Sequence, residues 1–132
     1  MHWEPLRIDG GPHFIGPDPR DESLNRYGLD LSREPEREWA AEITRQQLDT
    51  HVPIQVVTSG LIVVPGEGQL REYVEYAHRR VKDANRFYTE QVIPQIERKK
   101  QASERRQTEE TERVRRAQEE AAAIDLSDFS DE

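Results

Sequence analysis

From Gln69 to about Ala123 the chain runs without a glycine and with a single proline, Pro94. Such a run folds as little other than helix, because the residues that break helices are missing from it. Everything else is organised around this long C-terminal helix. Over residues 70–96, Leu70, Val74, Ala77, Val81, Ala84 and Tyr88 recur in alternating steps of four and three. That is a heptad-like, coiled-coil-type seam. The small Ala77 and Ala84 admit a close neighbour, so the seam predicts packing on the rest of the head or on a second copy. Pro94 has no N–H for the carbonyl of Glu90, which predicts a kink or a break near residues 90–94.

Beyond Glu97 the character changes. Fifteen of the residues 97–120 are charged, many lying four apart with opposite sign, as in Arg105/Glu109, Glu112/Arg116 and Arg115/Glu119. Each such pair supports an isolated helix by about 0.2–0.5 kcal/mol. No apolar seam continues here. A solvated charged arm over 97–124 follows, extended by Ala121–Ala123.

Ahead of the long helix, Val52–Val64 is the most apolar stretch. It reads as a β-hairpin turning at Ser59-Gly60, with Val57 opposite Ile62. One face carries Ile54, Val56, Thr58, Leu61 and Val63, and the other carries Gln55, Val57, Ile62 and Val64. Ser32 to about Thr50 reads as a first helix, capped by Ser32, with Pro35 in its first turn. Residues 1–31 hold four prolines and four glycines and read as an irregular arm, in which Leu6–Ile8 and His13–Ile15, flanking Asp9-Gly10-Gly11-Pro12, suit a small hairpin or two short extended pieces lying on another surface. Its apolar residues, Trp3 and Phe14 among them, suit a strap onto the head or onto a neighbouring subunit. The fold class that results is mostly α with a small β-hairpin: an α+β head over 32–96, an irregular N-terminal arm, and a long C-terminal helix projecting from a small core. An acidic tail closes the chain over 125–132.

Composition sets bounds on function. Leu, Ile, Val and Phe supply 28 of 132 residues, and few of them follow Glu97, so the core is small. A core of that size gains from a partner or from self-association. The net charge of −8 disfavours nucleic acid as a partner. The absence of cysteine excludes disulfides, thiolate catalysis and thiolate metal sites. No apolar run is long enough to span a membrane, and the N-terminus lacks the pattern of a signal peptide. The expected location is the cytoplasm or a larger soluble assembly, a virion included.

Motifs that carry chemistry are weak. Gly66-Glu67-Gly68 lies where phosphate-binding turns occur, but Arg71 stands in place of a third glycine and Glu67 repels phosphate. Glu75-x-x-His78 has the spacing used in bundle metal sites, which need a second such motif. The clusters Arg79-Arg80-x-Lys82, Arg98-Lys99-Lys100, Arg105-Arg106 and Arg113-x-Arg115-Arg116 suit a solvated, ion-paired face better than a nucleic-acid surface. No catalytic, metal or cofactor-binding residue is assigned, and no small-molecule substrate is expected.

The sequence therefore points to a non-enzymatic structural or assembly protein, an accessory subunit of a larger complex such as a phage or viral particle. Its partner is another protein or a second copy. The partner-binding candidates are Trp3, Phe14, Leu70, Val74, Ala77, Val81, Ala84, Tyr88, Ile124, Leu126 and Phe129. The alternative is a small acidic regulatory binder that docks an enzyme through its tail and N-terminal arm.

Overall fold

A computed structural model describes residues 2–129. The chain divides into two compact units, Met1–Ile93 and Pro94–Glu132. The layout is α+β, with a four-stranded antiparallel sheet and a long run of helix.

The sheet is larger than a hairpin. Strands β1 (Ile8–Pro17), β2 (Asn25–Leu31), β3 (Ile54–Val57) and β4 (Gly60–Val63) stand in the order β1-β2-β4-β3. Residues 8–17 and 25–31 are therefore strands and not an irregular arm. The glycines and prolines that punctuate the sequence are accommodated on an edge strand whose register shifts three times along β2. Gly11 shows why glycine stands there. Its φ is +94°, and a Cβ would lie 2.5 Å from the carbonyl oxygen of Gly28.

The hairpin pairs Val57 with Gly60, Val56 with Leu61 and Ile54 with Val63. Its turn is thus Thr58-Ser59, one position upstream of the expected Ser59-Gly60. The partner of each residue moves by two, which keeps every side chain on its expected face. Ile54, Leu61 and Val63 are buried, and so are Leu29 and Leu31 of β2. The opposite face, with Gln55, Val57, Ile62 and Val64, is half-buried or exposed.

Helix α1 (Arg37–Thr50) buries Trp39 and Ile43 in this core. It starts five residues later than the sequence suggests, because residues 32–36 have other partners. The Ser32 hydroxyl accepts the Arg7 N–H, and the Ser32 N–H donates to the Arg7 carbonyl. The helix ends with His51 in the left-handed region, its N–H donating to the Gln47 carbonyl.

Helix α2 (Leu70–Phe87) brings the seam to the core. Ala77, Val81 and Ala84 are buried, together with Tyr88 just past its end. α2 packs on α1 and touches β1. The next residues, Tyr88–Val92, form a π-turn in which the Ile93 N–H donates to the carbonyl of Tyr88. Pro94 cannot donate, and the chain answers by widening one turn ahead of it rather than by breaking. The wide turn sends both Tyr88 and Val92 inward.

The segment before β1 is a strap on its own head. Leu6 is buried, its N–H donating to Asn85 Oδ1 and its carbonyl accepting from Asn85 Nδ2. The same Oδ1 accepts the Trp39 indole N–H at 2.9 Å. Trp3 stacks on Tyr88 with ring centroids 4.6 Å apart, and its indole N–H donates to Glu36. Arg33 lies over the Trp3 ring and reaches both Glu36 and the Glu4 carbonyl. Asn85 was not legible as a hub: a single Asn beside a helical seam carries no sequence signal of what it holds.

Helix α3 (Ile93–Ala122) has no buried residue, which is the expected consequence of its charged composition. Of its i,i+4 pairs, Arg115–Glu119 closes at 3.7 Å. A short 3₁₀ turn, Leu126–Phe129, follows. Ser130, Asp131 and Glu132 of the acidic tail lie outside the described residues. Among the described residues no helix is long and apolar enough to cross a membrane.

Candidate docking cleft

A cleft of about 890 Å³ in the head lies beside α1, β3 and the loop that joins β1 to β2. Alternation along the strands builds its floor. Ile62 and Val64 point away from the core and meet Leu24 of the loop and Ala40 and Ala41 of α1. A helix face with two alanines leaves room where larger residues would close the gap. The rim is basic: Arg20, Arg26 and Arg37 line the cleft, against one acid, Asp18. None of the three arginines is in an ion pair among the described residues. In a chain of net charge −8 this is a local reversal of sign. An apolar floor with a cationic rim suits an apolar segment bearing carboxylates.

A second polar locus lies between α1 and α2. Glu42, Gln46 and Arg80 are all buried there. Glu42 is held by Arg45, whose Nε donates at 2.8 Å. Arg80 donates from Nη2 to Thr50 Oγ1, while its Nε and Nη1 find no protein acceptor. Burial pulls the Arg80 pKa below the ordinary guanidinium value. The sequence did show a signal: Arg80 stands three residues after Ala77 and four before Ala84, on the seam face itself.

The expected partner-binding residues separate into two groups. Ala77, Val81, Ala84 and Tyr88 are buried within the head, and Trp3 is stacked on Tyr88. Leu70 and Val74 are half-buried. Of the two outcomes open to the seam, the structure shows packing on the head. The other group is exposed. Phe14 sits on the edge strand, edge-on to Tyr27, and Ile124, Leu126 and Phe129 follow α3. Sequence reasoning missed the cleft, because Arg20, Arg26 and Arg37 are scattered in the chain and only the sheet gathers them.

Glu75 and His78 are both exposed, and Glu75 faces Arg71 at 3.7 Å. Among the described residues no group of three or more His, Asp or Glu is placed to hold a metal ion. Gly66 and Gly68 serve the turn into α2, where the Gln69 N–H donates to the Gly66 carbonyl and Gly68 takes a positive φ. Compared with known proteins, the chain matches no family model, no curated protein and no solved structure.

Proposed function

We propose that the chain is a non-catalytic assembly protein, an accessory subunit whose head binds one protein segment and whose charged helix meets or spaces others. The observation that carries this reading is the pairing of a folded head, complete with a cation-rimmed apolar cleft, with a charged helical stretch, residues 97–122, whose every residue is exposed. A helix with no buried face gains little from its own chain, and its side chains are free to serve a partner.

Chemical cross-linking in an extract of the native host, read by mass spectrometry, tests the reading. The expected result is a reproducible set of links from the cleft rim and from residues 97–122 to the same neighbours. Links confined to scattered surface lysines, with no recurring neighbour, contradict it. The alternative of a regulatory binder is supported by the exposed Ile124, Leu126 and Phe129. Deleting residues 124–132 separates the two: lost enzyme binding with assembly intact favours the regulator.

A further inference from the structure

We infer that the cleft beside α1 and β3 receives the C-terminal segment, residues 124–132, of a second copy of this chain. The inference rests on the assembly reading and names the partner and both surfaces.

Charge is the first argument. The cleft presents Arg20, Arg26 and Arg37 against Asp18 alone. The segment presents Asp125, Asp128, Asp131 and Glu132 with no base. No other stretch of this length in the chain carries four acids and no base. Shape and polarity are the second argument. Ile124, Leu126 and Phe129 are 56%, 83% and 70% exposed, so most of their apolar area is left for a partner. The Ser127 N–H donates to Asp125 Oδ1 at 2.9 Å, and the Asp128 N–H donates to the Asp125 carbonyl at 3.1 Å. These bonds fix a 3₁₀ turn over Leu126–Phe129. With three residues per turn, Leu126 and Phe129 fall on the same side. Residues 125–129 are thus a preformed turn with two apolar anchors side by side and Asp125 and Asp128 beside them. Preforming it lowers the ordering cost of docking. The cleft offers the complement in Leu24, Ile62 and Val64 under an arginine rim. The choice of a second copy follows from α3, whose two ends stand about 45 Å apart at 1.5 Å per residue. Docking in trans leaves that helix intact.

Sedimentation equilibrium of the full chain over a range of concentrations tests the inference. The expected weight-average mass rises from 15.4 kDa toward twice that value. Added salt weakens the association. Leu126→Ala with Phe129→Ala, and separately Arg20→Glu with Arg37→Glu, each raise the dissociation constant by about tenfold or more. Mixing the two variants restores association, because one keeps the cleft and the other keeps the segment. All four positions are exposed, and an unchanged circular dichroism spectrum confirms the fold of each variant. If charge reversal disturbs the spectrum, Arg20→Gln with Arg37→Gln takes its place. A mass that stays at 15.4 kDa at every concentration overturns the inference, as does a mixture that fails to recover. A monomer that still gives recurring cross-links to host proteins overturns this inference alone and leaves the assembly reading standing.

Discussion

At the scale of single residues, Asn85 carries more of the head than its polarity suggests. One carboxamide satisfies both backbone groups of Leu6 and the indole N–H of Trp39. Trp39 is fully buried, so losing the acceptor leaves an orphaned donor in the core. Asn85→Ala is expected to cost about 2–4 kcal/mol in urea unfolding, summing roughly one to two buried bonds with an unsatisfied donor. A cost under about 0.5 kcal/mol would show that the strap is not held there. Arg80 predicts the opposite sign. It is only 3% exposed, with two guanidinium nitrogens lacking a protein acceptor. Replacing a poorly paired buried charge by an apolar side chain of similar length is neutral or stabilising. Arg80→Met should therefore raise the unfolding free energy by about 1 kcal/mol. A loss of about 2 kcal/mol or more would mean that Arg80 is better satisfied than its contacts with this chain show.

At the scale of elements, what was legible followed from periodicity and what was lost followed from pairing. The helix from Gln69 onward and the inner face of the hairpin were readable, because a period near 3.6 and a period of two need only local sequence. Strand β1 was legible only as short extended pieces around Ile8 and His13–Ile15, and β2 was not legible. Their apolar residues are few, and their prolines and glycines are tolerated only because β1 is an edge and Gly11 passes close to Gly28. That fact belongs to the partner strand and not to the segment. The start of α1 was misplaced for the same kind of reason, since Ser32 is engaged by Arg7, 25 residues upstream. The cleft is the extreme case, with Arg20, Arg26 and Arg37 brought together by a loop, a strand and a helix. The strap also gives a pH prediction. Burial raises the Glu36 pKa, but the hydrogen bonds from Arg33 and Trp3 outweigh it and leave the group below its ordinary 4.5. A depressed carboxylate contributes its stability above the unfolded value and loses it as pH falls through the folded one. The thermal midpoint should therefore drop as pH falls below about 4.5, and Glu36→Gln should remove part of that drop. An equal drop in wild type and variant would exclude Glu36. Element stability divides likewise. Amide exchange is expected to be slowest in α2 around Ala77–Ala84 and faster by orders of magnitude over 97–122, where no side chain is buried. Equal protection in the two helices would mean that α3 is held by a partner or by self-association.

At the scale of the whole molecule, two units carry different physics. Met1–Ile93 has a small core of sheet, strap and two helices, and a cleft of opposite sign to the chain. Pro94–Glu132 has charge, helix and three exposed apolar residues near its end. Each unit presents surface that another protein can cover: the cleft of the first and the exposed Ile124, Leu126 and Phe129 of the second. The most direct test of the assembly account is the native mass of the chain in gently lysed host cells, by gel filtration with detection by antibody. The account predicts elution in a species several times heavier than 15.4 kDa, shifted to lower mass by deletion of residues 97–132. Elution of the intact chain as a 15.4 kDa monomer would contradict it.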